Sequence, residues 1–241
     1  MNDDTTLVLE ATGVLYQLEF DEAAFFEWLD KIPAVGSYGG YGRTLEIMLD
    51  PTVVDEAALS EFVALYRRYH VDPAELQVFA THHLGGWFSS PDRFWHQEIF
   101  DRPPPAEDRR SGELFSGDHP WSIEPTVGTH MNVWPPDVEV SPNPDHVVLK
   151  ATGVRYYSEF DEAAFFEQLD KNPQVESSRG RGDTLYINVN VNTGDDAELS
   201  ELAALYARYD IDMTELRVLN AGNFGPDFSD PKWWWHKAVF G

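Results

Sequence analysis

Histidines are the residues of this chain that could do acid–base chemistry near neutral pH. His96 and His236 each follow a tryptophan in matching FxxPxxxWHxxxF sequences, at 88–100 and 228–240. One interpretation is a general base at either position. The interpretation that we favour is an aromatic segment that closes a domain, with the imidazole half-buried and hydrogen-bonded.

Three other motifs suggest chemistry only in part. The adjacent pair His82 and His83 lacks the spacing of metal ligands, because neighbouring side chains point in different directions. SYGGYGR at 37–43 lacks the Gly-Lys-Ser/Thr ending of a phosphate loop, and we predict a turn there. Glu61 and Arg68 are predicted to join a solvated ion-pair network on one helical face. The chain contains no cysteine and no serine nucleophile elbow, so we predict no enzyme activity, no metal and no cofactor.

The elements that would position these residues occur twice. The octapeptide FDEAAFFE stands at 20–27 and again at 160–167. An offset of 140 residues aligns 9–100 with 149–240 without a gap, and about half of the positions are identical. Solenoid repeats are roughly 20–50 residues long, whereas this period is the size of a small domain. The sequence therefore indicates a tandem duplication.

The predicted domain boundaries follow from the duplication. Residues 1–100 form the first α+β repeat, 101–146 a proline-rich acidic connector, and 147–241 the second repeat. The connector contains DRPPPAEDRRSGE, a composition typical of a stiff spacer. It is long enough for the two repeats to pair side by side. We therefore predict a monomer with a pseudo-twofold intramolecular dimer inside it.

Each repeat is predicted to have the order βαββαβ, which is that of a ferredoxin-like domain. Asp21 is the predicted N-cap of the first helix, and Asp55 or a neighbouring residue is that of the second. The strand 44–50 alternates apolar and polar residues, and 76–80 is predicted as the last strand. Two helices would cover one sheet face and leave the other open. The predicted core residues are Phe25, Leu29, Leu59, Tyr66 and Trp95, with Phe165, Leu169, Leu199, Tyr206 and Trp235 in the second repeat.

Acidity is the dominant property of the composition. The chain carries 42 acidic residues against 17 lysines and arginines, a net charge of −25. The aligned part of the first repeat, 9–100, contributes −10, from 15 acids and 5 bases. Such a charge repels nucleic acid and anionic lipid and speeds encounter with basic partners; solubility or a salt-adapted host is the other interpretation. With no signal-like N-terminus and no long apolar run, we expect a cytoplasmic protein that binds neither membranes nor nucleic acid.

The open sheet face of the first repeat is the predicted binding surface. Three acids should project from it together, and nearby aromatic residues should anchor a partner. The corresponding face of the second repeat carries amide and basic residues instead, which favours recognition over shared catalysis. The predicted partner-binding residues are Glu10, Glu46, Asp50, Trp28, Tyr38 and Tyr41.

A small, cysteine-free, strongly acidic α+β protein with exposed aromatic residues resembles the immunity proteins of bacterial toxin systems. The acids named above and the FxxPxxxWHxxxF endings carry this resemblance. It implies an inhibitor that plugs a basic toxin, often one that cleaves nucleic acid. Two other classes remain open: a small-molecule-binding protein or enzyme built as a fused α+β barrel dimer, and a structural or adaptor protein.

Overall fold

The computed structural model of the protein describes residues 7–101, 146–191, 196–221 and 228–241. These residues form two compact units. Unit 1 contains 7–16, 25–101 and 157–161, and unit 2 contains 17–24, 146–156 and the described residues from 162 onward. Each unit is therefore built mainly from one repeat and includes a short segment of the other. Residues 102–145 of the predicted connector lie outside the described part.

The two repeats form matching elements in the same order, apart from a short helix at 85–88, whose counterpart positions 225–228 lie mostly outside the described residues. The first repeat comprises β1 (Leu7–Thr12), α1 (Glu19–Lys31), β2 (Val35–Tyr41), β3 (Thr44–Leu49), α2 (Glu56–Arg68), a 3₁₀ helix (Pro73–Thr81), α3 (Gly85–Phe88) and α4 (His96–Phe100). The second comprises β4 (His146–Thr152), α5 (Glu159–Lys171), β5 (Val175–Arg181), β6 (Thr184–Asn190), α6 (Asp196–Arg208), a 3₁₀ helix (Met213–Ala221) and α7 (His236–Phe240). The duplication seen in the sequence thus extends to the secondary structure.

Each repeat contributes a three-stranded antiparallel sheet, so the predicted α+β class is confirmed. The strand orders are β1-β3-β2 and β4-β6-β5. The central strand β3 follows the predicted alternation, because Ile47 and Leu49 are buried while Glu46 and Met48 are partly exposed. In the second repeat Ile187 is likewise buried. A complete four-stranded ferredoxin-like sheet is not formed by the described residues.

The predicted fourth strand was wrong, because 76–80 lies inside the 3₁₀ helix Pro73–Thr81. Asp72 caps this helix by accepting a hydrogen bond from the Ala74 N–H at 3.0 Å, and the proline follows at the first helical position. Leu76 and Phe79 are both fully buried. A spacing of three places both on one face of a 3₁₀ helix, so these apolar residues reach the core without forming a strand.

The glycine-rich segment was also predicted incorrectly. Residues 37–41 belong to strand β2, and only Gly42 and Arg43 form the turn into β3. Gly42 has φ +63°, a conformation that glycine adopts without steric cost. Pairing with β3 therefore decides the structure of β2, although its glycines have a low strand propensity.

The predicted core is confirmed in both repeats. Phe25, Leu29, Leu59, Tyr66 and Trp95 are all buried. Phe165, Leu169, Leu199, Tyr206 and Trp235 are buried at the equivalent positions. Asp55 caps helix α2 as predicted, since its Oδ1 accepts a hydrogen bond from the Ala58 N–H at 2.8 Å. The helical and strand periodicities were therefore sufficient to assign these interiors.

Candidate binding surface

The outer face of the sheet in unit 1 is set by the strand register. Glu10 of β1 lies directly opposite Glu46 of β3, and Glu46 lies opposite Gly39 of β2. Residues two apart along a strand share a face. We call this surface the acidic face; it consists of Val8, Glu10, Thr12, Ser37, Gly39, Tyr41, Thr44, Glu46 and Met48.

Two carboxylates stand side by side on the acidic face. Glu10 is exposed and Glu46 is partly exposed. Like charges directly opposite each other on a sheet are destabilising, so this pair does not serve folding. The second repeat has Lys150 opposite Tyr186 at the equivalent positions. The acidic pair therefore marks a difference in surface chemistry between two sheets of the same design.

Asp50 does not join the other two acids. Strand β3 ends at Leu49, and the Asp50 N–H donates a hydrogen bond to the Ala34 carbonyl at 2.9 Å. The Asp50 carboxylate accepts hydrogen bonds from the N–H of Thr52 at 2.9 Å and from its hydroxyl at 2.6 Å. These bonds lower the pKa of Asp50. Asp50 is thus an exposed residue of a local turn.

The three predicted aromatic anchors lie in three different environments. Tyr41 is 75% exposed at the end of the acidic face. Tyr38 is on the opposite face of the sheet, since it pairs with the buried Ile47. There its ring stacks on Phe26 with centroids 5.2 Å apart, and its hydroxyl donates a hydrogen bond to Asp30 at 3.0 Å. Burial and this carboxylate raise the pKa of Tyr38.

Trp28 is not a surface residue, and its assignment as an exposed anchor was wrong. Its side chain is fully buried, and the indole N–H donates a hydrogen bond to Glu61 Oε2 at 3.0 Å. Ser158 Oγ donates to the same carboxylate oxygen at 2.6 Å. Glu61 is half-buried, and burial raises its pKa. The predicted solvated network around Glu61 is therefore a packed polar cluster inside unit 1.

Two arginines form ion pairs that sequence reasoning did not find. Arg68 pairs with Asp161 inside unit 1, and Arg208 pairs with Asp21 inside unit 2. All four side chains are buried. Helix α1 begins at Glu19, so Asp21 is not its N-cap. The two aspartates occupy the same position of the repeated FDEAAFFE stretch, and each pairs with an arginine from the other repeat.

The polar cluster is not duplicated in unit 2. Gln168 and Leu18 stand where unit 1 has Trp28 and Ser158. Glu201, the equivalent of Glu61, accepts a hydrogen bond from the Phe20 N–H at 3.3 Å, and burial raises its pKa. The Nε2 of the buried Gln168 has no hydrogen-bond partner among the described residues. The same fold therefore tolerates different polar interiors.

The face of the second sheet is basic where the first is acidic. Arg179 and Lys150 flank Tyr186 across β5, β6 and β4, and both charged residues are exposed. Asn190 donates a hydrogen bond to Glu176 at 2.9 Å at the other end of the face. The predicted contrast between acid in one repeat and amide and base in the other is present in the structure.

His82 and His96 lie in different surroundings. His82 Nε2 lies 2.9 Å from the Pro51 carbonyl oxygen, and within the described ranges no three histidine or acidic side chains form a cluster suited to a metal ion. His96 is half-buried and packs on Phe100 with ring centroids 5.3 Å apart. Its buried Nδ1 has no hydrogen-bond partner among the described residues, so the predicted hydrogen bond is not formed at this atom. The preceding Trp95 is buried, and its indole N–H donates to the Phe88 carbonyl at 2.9 Å. Both repeats therefore end in a packed aromatic segment.

Comparison with known proteins adds no family. No helix in the described part of the chain combines the length and apolarity needed to cross a membrane. No protein-family model matches the sequence, and neither the curated proteins nor the solved structures contain a significant match.

Proposed function

We propose that this chain is an acidic binding protein that holds a basic protein partner on the acidic face of unit 1. The observation that carries the proposal is the pairing of Glu10 with Glu46. A like-charge pair lowers folding stability. We therefore expect the two carboxylates to serve binding, where their combined charge attracts a basic group. The equivalent Lys150 and Tyr186 show that the same sheet forms without the acids.

The partner class follows from the charge. A net charge of −10 over residues 9–100 attracts a basic surface and raises its association rate. Tyr41 lies at the end of the same face and supplies exposed aromatic surface, which is enriched at binding hot spots. A basic toxin domain neutralised by this chain, as the resemblance to immunity proteins implies, fits this description. Asp50, Tyr38 and Trp28 have no part in the contact.

We also propose a cellular location, an oligomeric state and a domain type for this chain. It acts without catalysis, in the cytoplasm, as a monomer. Its repeats are variants of a ferredoxin-like domain in which a 3₁₀ helix replaces the fourth strand. Their pairing as a pseudo-twofold intramolecular dimer remains a prediction from the sequence.

The test compares two substitutions that reverse a charge. Each one introduces the lysine that the second repeat has at the equivalent position. Glu10→Lys introduces the residue found at Lys150, and Asp92→Lys introduces the residue found at Lys232. Both wild-type acids are exposed and each change raises the net charge by two, but only Glu10 lies on the acidic face. The partner is isolated by pull-down from the native host, and association rates are measured at several salt concentrations.

We expect Glu10→Lys to slow association and to flatten its salt dependence, because nearby opposite charges act mainly on the encounter rate. Asp92→Lys should have the smaller effect. Equal association rates for Glu10→Lys and the parent at every salt concentration would refute the proposed function and leave the acidity as a solubility feature.

A further inference from the structure

Strand β2 is an open edge of the sheet in unit 1. The strand order is β1-β3-β2, and among the described residues no strand pairs with the far side of β2. The opposite edge is different, because the Thr12 N–H of β1 donates a hydrogen bond to Glu75 at 3.0 Å. An open edge presents unpaired N–H and C=O groups that can hydrogen-bond to another strand.

The hairpin geometry identifies the backbone groups at this edge. Tyr41 and Thr44 flank the two-residue turn, and residues in that position exchange hydrogen bonds with each other. Hydrogen-bonded and non-hydrogen-bonded pairs alternate along an antiparallel ladder. Gly39 therefore also bonds to β3, whereas the N–H and C=O groups of Tyr38 and Gly40 are directed to the open edge.

Gly39 and Gly40 of β2 leave this edge uncovered, and no tight contact requires a glycine at either position. A Cβ atom placed on Gly39 or Gly40 would meet no atom within 4 Å. In the second repeat Arg179 occupies the position of Gly39 and is exposed. Charged residues on an edge strand hinder pairing with other chains, so β5 is protected where β2 is not. A strand glycine also marks places where another backbone approaches closely.

We propose that β2 binds an extended segment of the partner by strand addition, with lysine or arginine side chains of that segment reaching Glu46. This inference rests on the proposed function and names its mode of recognition. An added strand lies about 10 Å from β3, two strand spacings away. Gly39 lies between them and has no side chain, so a long basic side chain can cross it to Glu46. Exposed Tyr41 flanks this path.

A second copy of this chain is the less favourable occupant. Pairing β2 with β2 of another molecule would extend one sheet with a second Glu10 and Glu46 pair. The chain as a whole carries −25, so such a dimer would bring like charges together. Charge complementarity therefore favours a basic segment of another protein as the strand that pairs with β2.

The probe is an acetylated, amidated nine-residue peptide of alternating threonine and lysine. Two further peptides carry N-methyl groups on every lysine or on every threonine nitrogen, which removes the N–H donors of one peptide edge without changing the charge. Binding to the full chain is measured by fluorescence anisotropy, and amide hydrogen exchange is followed at Tyr38 and Gly40. Gly39→Arg is the edge variant, and Glu10→Lys is the charge variant.

We expect one methylated peptide to bind about ten-fold more weakly than the parent peptide, because it loses the hydrogen bonds of the pairing edge. Gly39→Arg should weaken binding of the parent peptide similarly, and the peptide should slow exchange at Gly40. Strand addition is wrong if neither methylated peptide is weaker, if Gly40 exchange is unchanged, or if the parent peptide does not bind.

The two proposals fail by different results. If all three peptides bind equally and Glu10→Lys weakens each of them, the acidic face attracts basic ligands without strand addition. If the natural partner associates equally fast with Glu10→Lys and the parent chain, the proposed function fails and the strand-addition proposal that rests on it fails too.

Discussion

Arg68 forms a buried, two-point ion pair with Asp161, a residue 93 positions further along the chain. Its Nη2 lies 2.7 Å from Oδ2, and its Nε lies 2.8 Å from Oδ1. The side chains are 3% and 0% exposed. This pair ties the segment 157–161 to helix α2 inside unit 1.

Arg68→Met should lower the free energy of unfolding by about 3–5 kcal/mol, because Asp161 stays behind as an uncompensated buried charge. Urea unfolding measures the change. The double variant Arg68→Met with Asp161→Asn should recover part of the loss. Arg43→Met, at an exposed arginine, is the control and should stay within about 0.5 kcal/mol of the parent. A single Arg68→Met variant as stable as the parent would show that the pair is dispensable.

Trp28 and Tyr41 should respond in opposite ways to truncation. Trp28→Ala should cost about 3–5 kcal/mol of folding stability, because it removes a fully buried indole. Tyr41→Ala should change stability by less than about 0.5 kcal/mol and should speed dissociation of the partner, since exposed aromatic anchors act mainly on the lifetime of a complex. Thermal unfolding and dissociation kinetics separate the two effects. Unchanged dissociation for Tyr41→Ala would remove this residue from the contact.

Replacing the acidic pair by the residues of the second repeat should stabilise the fold. The variant Glu10→Lys with Glu46→Tyr installs the cross-strand pair that Lys150 and Tyr186 already form. Relief of the repulsion should add about 0.2–1 kcal/mol to the free energy of unfolding. Denaturant unfolding at low and high salt checks this, and the gain should shrink as salt screens the charges. A destabilised double variant would contradict the idea that the acids are kept at the expense of stability.

Glu75 should make stability depend on pH between about pH 4.5 and 7. Burial raises the pKa of this carboxyl to about 7, even though the Thr12 N–H donates a hydrogen bond to it. The folded state therefore holds a proton that the unfolded state releases at its ordinary, lower pKa. The resulting stabilisation is complete below the unfolded pKa and is lost as pH rises through about 7.

Glu75→Gln keeps an oxygen that can accept the Thr12 hydrogen bond and removes the ionisation. We expect this variant to match the parent near pH 4 and to exceed its melting temperature near pH 8. Glu215→Gln, at the equivalent position of the second repeat, controls for the change in net charge. Parallel melting temperatures of Glu75→Gln and the parent across this range would exclude a role for Glu75.

Local patterns in the sequence determined a large part of this protein. The duplication predicted that the same elements occur twice. The alternation of apolar and polar residues along 44–50 predicted strand β3 and which of its residues are buried. Asp55 marked the start of helix α2, and Phe25 was correctly assigned to the core. These features depend on neighbouring residues, since caps and periodicities act over a few positions. The position of Glu10 on a polar strand face was predictable for the same reason.

The tertiary structure decided which residues meet across long stretches of chain. Nothing near Asp21 in sequence indicates its pairing with Arg208, 187 positions away, and a helix-start aspartate looks the same whether it caps or pairs. From the sequence alone, Trp28 was assigned as an exposed anchor. The tertiary structure buries it and places its indole N–H on Glu61, which is 33 positions away. Segment 76–80 is apolar enough to be a strand, but its backbone forms a 3₁₀ helix. In that helix Leu76 and Phe79, three residues apart, lie on the same face and are both buried in the core. Burial and ion pairing depend on the sum of distant contacts, and short-range sequence patterns do not contain that information.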